Sequence, residues 1–225
     1  MARPRGARLT QSLIRDAALE LIDRDGLEAL SMRRLAESVG VQAASLYSHF
    51  STKGEVLDAI ANRIMADVDT SQFVHGWKPG VLAWARSYLA ALEAHPNAVP
   101  IIASGAGNRH EFLAMANAVH GGLVGAGWPP RRATEISGAV KYLVIGAAST
   151  PFASGFADDT QVYLDRYPHL TQAHRLPADA ARIDRDSFEL GLTCLVAGLE
   201  SQAPEPGGTG DTVAGSGENG GRVEA

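Results

Sequence analysis

The sequence predicts an all-α fold: a small N-terminal three-helix unit joined through a fourth helix to a larger helical body. Three observations predict it. Apolar residues recur at three- and four-residue spacing along most of the chain. No segment alternates apolar and polar residues as a half-buried strand would. Proline and glycine cut the remainder into helix-length pieces.

The elements follow in order. A first helix begins after Thr10, a good N-cap, carries apolar residues at 13, 14, 17, 18, 21 and 22, and stops at Gly26 after Asp25. Ser31 caps a short second helix with Met32, Leu35, Ala36 and Val39 on its inner side, and Gly40 supplies the positive φ of a tight turn. A third helix starts at about Gln42 and runs only to Phe50, because Thr52 and Glu55 have the spacing of a capping box. The fourth therefore starts near Lys53, with apolar residues at 57, 60, 61, 64, 65 and 68. Later helices are expected at about 79–94, 98–104, 109–125, 130–149 and 185–201, with a weaker one near 159–166. Pro96, the Gly127-Trp128-Pro129-Pro130 turn and Pro151 end three of them.

Composition narrows the function. The 225 residues suffice for one or two domains with a sizeable core. With 20 basic against 25 acidic side chains, the net charge of −5 gives no global attraction to nucleic acid or anionic membrane. The first 65 residues nevertheless hold 9 basic and 8 acidic side chains, so the excess acid lies beyond them and the N-terminal third is the better polyanion binder. A single cysteine, Cys194, excludes an intrachain disulfide and a paired-thiolate zinc site and fits a reducing compartment, so a cytoplasmic location is expected. Its place between Leu192 and Leu195 suggests a core residue. The N-terminus lacks the apolar region of a signal peptide, and the longest uncharged stretch, Phe112 to Pro130, holds four Gly and two Pro and reads as a buried helix with its turn. Residues 203–225, with seven Gly, are expected to be a disordered tail.

Enzyme signatures are missing. Gly105-Ala106-Gly107 and Gly125-Ala126-Gly127 lack a preceding strand and the Lys-Ser/Thr of a phosphate loop. There is no G-x-S-x-G or H-E-x-x-H, and His169 and His174, five apart, make a poor metal pair even with Asp158 and Asp159. No cofactor, metal or catalysed reaction is expected.

The helix, glycine turn and short second helix make a helix-turn-helix pattern, whose second helix enters the DNA major groove; the bare pattern also fits any antiparallel helix pair. The third helix adds detail. With Leu46 set inward, Phe50, Ala43 and Gln42 fall on the inner side, whereas Ala44, Ser45, Tyr47 and Ser48 face outward. That arc is small and polar apart from Tyr47, and the helix carries no carboxylate, which suits approach to phosphate.

Residues 9–64 resemble the N-terminal domain of the tetracycline-repressor (TetR) family of bacterial regulators. The resemblance rests on Asp25-Gly26, Met32-Arg33-Arg34-Leu35-Ala36, Val39-Gly40-Val41, Ser45-Leu46-Tyr47-Ser48-His49-Phe50, and Lys53 with Leu57. More weakly, His95-Pro96, Ala126 to Pro130, and Phe188-Glu189-Leu190-Gly191-Leu192 ahead of Gly198-Leu199-Glu200 resemble the family's ligand-binding and dimerisation domain. The resemblance implies base contacts from Arg33, Gln42, Ala43 and Ser45, with Arg33 placed to pair bidentately with guanine or to hold a phosphate. It implies phosphate grip or support from Tyr47, Ser48, His49 and Lys53, although Tyr47 could pack on the first helix and His49 could be structural.

The implied organisation is a basic arm at 1–8, a helix-turn-helix domain at 9–52, a ligand-binding and dimerisation domain at 53–202 with 53–70 as connecting helix, and the tail. The implied partners are double-stranded operator DNA, a small-molecule effector and a second copy of the chain, with no membrane. Aromatic and polar residues of the larger domain suit a ligand cavity: Trp84, Tyr88, Phe112, Met115, His120, Trp128 and Tyr142 are candidates, and ordinary core packing is the alternative for each. A dimer seam is expected at 130–149 and 185–201, where Gly138, Ala139, Gly146, Ala147, Gly191 and Gly198 allow close approach. The reading is a repressor released by its effector; the alternative is an all-α small-molecule-binding protein or enzyme without a DNA role.

Overall fold

The computed structural model describes residues 9–104, 109–163 and 167–204. The expected N-terminal arm, and the tail beyond Pro204, lie outside the described residues. Among the described residues there are nine α-helices and no strand, and no helix is long and apolar enough to cross a membrane.

Local sequence chemistry sets the first four. In α1 (Gln11–Asp25), the Thr10 hydroxyl accepts from Leu13 N at 3.2 Å, and Gly26 ends the helix at φ 86°. In α2 (Met32–Val39), Ser31 accepts from Arg34 N at 3.2 Å. Gly40 then adopts the left-handed conformation, φ 73° and ψ 33°, so that Val41 N bonds back to Ala36 O at 3.0 Å. α3 (Ala43–Tyr47) is shorter than its expected span. Gln42 stays extended before it, at φ −76° and ψ 147°, and His49 N and Phe50 N both donate to Leu46 O, closing the turn early. α4 (Lys53–Met65) opens on Thr52, which accepts from Glu55 N at 3.1 Å, while the Glu55 carboxylate takes Ser51 N at 2.7 Å.

The body comprises α5 (Trp77–Glu93), α6 (Val99–Ala103), α7 (His110–Gly125), α8 (Pro130–Ser149) and α9 (Ala180–Glu200). α4 packs against α1 and also against α5, α6 and α7, so it is shared by both parts of the chain. One contiguous core results, running from Ile14, Leu35 and Leu46 through Ile60 and Tyr88 to Val140 and Leu192.

Three further expectations needed correction. α9 starts five residues early: polar contacts rather than apolar periodicity hold its first turns, with Arg182 reaching Asp179 at 3.2 Å and Asp184 accepting from Phe152 N and Ala153 N at 3.1 Å. The weaker helix near 159–166 is only a 3-10 turn at Thr160–Val162 among its described residues, with Asp159 capping it. Cys194 is exposed, because Leu192, Val196 and Leu199 supply the inward stripe of α9. A 3-10 turn at Ser71–His75 was not expected at all. It drives Phe73 between α5 and α7, where a Cβ at Gly80 or Gly122 would overlap the ring.

Candidate DNA interface and effector cavity

Arg33 and Arg34 are adjacent on α2 and are treated oppositely. Arg34 is tied down, donating to Asp25 at 2.8 Å and to Ala29 O at 3.2 Å, which fastens α2 to the end of α1. The Arg33 side chain is 86 % exposed, with only a 3.4 Å contact to Glu37 one turn on. Such an exposed pair contributes about 0.3–0.5 kcal/mol, so the guanidinium can readily leave it for a base or phosphate.

On α3 and the turn after it, Leu46 and Phe50 are buried, and Ala44, Ser45, Tyr47 and Ser48 are exposed. Gln42 is exposed as well, although the wheel set it inward; as the extended N-cap it does not follow helical periodicity. Ala43 is half-buried beneath that surface. The Ser48 hydroxyl donates to Ser45 O at 2.8 Å and is therefore already engaged. His49 is half-buried, and its carbonyl accepts from Gln11 on α1 at 2.9 Å, a link that holds the end of α3 to α1. Lys53 is exposed in the first turn of α4. Arg33, Gln42, Ser45, Tyr47 and Lys53 are each exposed, and no carboxylate occurs between Gln42 and Lys53.

The larger part holds a cavity of about 240 Å³ among α5, α7 and α8. Trp84, Tyr88, Phe112, Met115 and His120 line it. Trp128 does not: it is buried elsewhere, edge-on to Trp77 with ring centroids 5.5 Å apart. Nor does Tyr142, which is 78 % exposed on the outer side of α8. The α8 wall comes instead from Thr134, Ser137, Gly138 and Lys141. Their spacing is one helical face, a signal legible in the sequence once α8 is known to border a cavity; Tyr142 lies about 100° beyond Lys141.

Polar groups in this wall differ in their commitments. Thr134 and Ser137 donate to the carbonyls one turn back, at 3.1 and 2.7 Å. Trp84 Nε1 and Tyr88 Oη are buried without a partner among the described residues. Burial pushes the Tyr88 phenol up to about 12, with Arg109 pulling slightly against it. Arg109, itself buried, donates to Asp58 on α4 at 2.9 Å and to Ile101 O at 2.6 Å. A charged contact therefore ties α4 to the segment beside the cavity.

The family model for bacterial regulatory proteins of the tetR family matches residues 14–60, and that for the tetracyclin repressor-like C-terminal domain matches residues 74–203. The chain belongs to the TetR family. Within it, an HTH-type transcriptional regulator of Saccharopolyspora erythraea is 31% identical over 206 residues, covering 87% of this chain and 86% of that protein. The tetracycline repressor protein class C of Escherichia coli is 31% identical over 204 residues, 86% and 91% of the two chains. Among solved structures, the Streptomyces coelicolor TetR family protein ActR in complex with actinorhodin superposes with a TM-score of 0.70 at 28% identity, covering 88% of this chain and 99% of that one. TetR-family membership makes the chain a DNA-binding transcriptional regulator.

Proposed function

We propose that this TetR-family chain acts in the cytoplasm as a homodimeric repressor that reads a near-palindromic operator and is released when a small molecule occupies the α5–α7–α8 cavity. Residues 9–52 act as the reading head and 53–202 as the effector and dimerisation body, with 53–70 as the connection. The observation that carries the reading is the exposed, carboxylate-free surface of α3 flanked by Arg33 and Lys53. Arg33, Gln42, Ala43 and Ser45 contact bases, and Tyr47, Ser48, His49 and Lys53 hold or support phosphate contacts. Ser48 must give up its bond to Ser45 O to do so, which leaves Tyr47 and Lys53 the stronger grips. The related ActR was solved with actinorhodin bound, which supports a small-molecule effector here.

Two chains pair through α8 and α9. Tyr142 on α8 and Leu190 on α9 are exposed at 78 % and 67 %, apolar side chains that a second copy would cover. Among the described residues nothing lies within 4 Å of a Cβ added at Gly146 or Gly198, which suits close approach of a second copy, whereas Gly138 borders the cavity. Gly191 instead faces Leu143 of its own chain.

The test is a pair of substitutions on a randomised duplex pool. Arg33→Ala should weaken specific binding by about 1–3 kcal/mol and relax preference at one base pair per half-site. Lys53→Ala should weaken all sequences alike and flatten the salt slope. An unchanged preference profile for Arg33→Ala would remove the base-reading role.

A further inference from the structure

The helix at the centre of the candidate DNA interface is too short to hold its own direction. α3 has five residues, and a single turn of helix is unstable in isolation, so the angle at which it presents Ala44, Ser45 and Tyr47 is set by what fastens its two ends. The leading end is fastened by the Gly40 turn, where Val41 N bonds to Ala36 O at 3.0 Å. Burial of Leu46 and Phe50 seats the helix on the rest of the head. That seat resists lifting, but the hydrophobic effect has no direction, so a helix can still roll on it.

A directional bond from α1 fastens the trailing end: Gln11 Nε2 donates to His49 O at 2.9 Å across 38 residues of sequence. Gln11 is a fixed point. It is the first residue of α1, and the Thr10 cap, accepting from Leu13 N at 3.2 Å, holds that first turn in place. The carbonyls just before His49 are taken locally, Ser45 O by the Ser48 hydroxyl and Leu46 O by His49 N and Phe50 N, and such bonds shape the turn without orienting it. Gln11 and Phe50 also line one groove between α1 and α4, so the polar and the apolar anchor of this end lie side by side.

We infer that Gln11 is a positioning residue for sequence reading: given α3 as the base-reading helix of the proposed function, the bond to His49 O fixes the angle at which α3 meets the major groove. Hydrogen bonds to base edges weaken steeply as their angles open, so a rolled α3 loses the contacts that tell one sequence from another. Attraction to phosphate carries no sequence information and tolerates the roll. Loss of the bond therefore lowers discrimination between sequences and spares affinity for DNA in general.

The experiment uses the full-length chain and two probes: the duplex that the wild-type protein selects from a random pool, and a scrambled duplex of the same length. Gln11→Met keeps the length of the side chain and removes the donor, whereas Gln11→Lys supplies a donor again. Gln11→Met should shrink the ratio of selected to scrambled affinity by about tenfold, almost wholly through the selected duplex. Its melting temperature and its salt slope on the scrambled duplex should match wild type. Gln11→Lys should recover most of the ratio while tightening both duplexes. Without DNA, amide exchange at His49 and Phe50 should quicken severalfold in Gln11→Met, and exchange in α5, α7 and α8 should not change.

A ratio that Gln11→Met leaves unchanged overturns the inference, and if both duplexes weaken alike, Gln11 is a direct phosphate contact instead. A ratio that falls together with the melting temperature also overturns it, because instability rather than orientation is then the cause. If Gln11→Met fails to fold, Gln11→Ala takes its place. Absence of any selected sequence for the wild type would remove the reading of α3 and the inference with it, whereas exchange at His49 and Phe50 that Gln11→Met does not alter would remove the positioning link alone.

Discussion

Gly40 sits at the tightest point of the reading head, and its role follows from φ alone. Its αL backbone closes the α2–α3 turn, and no atom lies within 4 Å of an added Cβ. Gly40→Ala should therefore cost about 1–2 kcal/mol, the penalty of a left-handed non-glycine residue, and Gly40→Asn less, as chemical denaturation would show. This need for positive φ was legible in the sequence, as were the Thr10, Ser31 and Thr52 caps, because such signals are local. The fate of Tyr88 was not: nothing in the sequence says that a hydroxyl will be buried unpaired. Tyr88→Phe in the ligand-free protein should leave the melting temperature unchanged or raise it, since it removes an unsatisfied group. The folded pKa is raised from 10.0 to about 12, so the contribution of this phenol to stability is complete below pH 10 and is lost as pH rises toward 12. Wild-type stability should fall across that window by up to about 1.4 kcal/mol per pH unit from this group, and Tyr88→Phe should lack that share of the loss.

Among the elements, α7 shows how packing departs from pattern. Its adjacent glycines look alike in sequence, yet Gly122 faces the Phe73 ring while Gly121 opens onto empty space. Gly122→Ala should destabilise by about 1–3 kcal/mol through overpacking, and Gly121→Ala should stabilise by up to about 1 kcal/mol through helix propensity. Similar losses in thermal melts would contradict the wedge. The 3-10 turn that carries Phe73 was missed because it has no periodicity of its own; its position is set by the room that Gly80 and Gly122 leave. The cavity was half legible for a related reason. Trp84, Tyr88, Phe112, Met115 and His120 line it, but large size alone cannot say which way a helix turns its aromatics, and Trp128 and Tyr142 point elsewhere. Lys141 was not among the expected lining residues, because a charge on a helix gives no sign that it borders a cavity, yet it forms part of the wall.

At the scale of the whole molecule, α4 is the shared piece. It packs on α1 and on α5, α6 and α7, and Arg109 reaches Asp58 on it from beside the cavity. A second fastening joins the end of α1 to the turn before α6, where His95 lies 2.8 Å from Asp23 and Asn97 donates to Ile22 O and Asp23 O. In the proposed mechanism effector occupancy reorients the heads as rigid bodies through these contacts, with a coupling of about 1–3 kcal/mol. Asp58→Ala should cost about 1–3 kcal/mol of stability by leaving the Arg109 charge buried without its partner, and it should change the operator affinity of ligand-free protein while Lys141→Gln does not. The most direct test of the central claim is the sequence that the full-length protein selects from random duplex DNA, read together with the mass of the complex. The account predicts an inverted repeat with half-site centres about one turn, roughly 34–36 Å, apart and two copies per duplex; an unrepeated site bound by a single copy, or no enrichment, would contradict it.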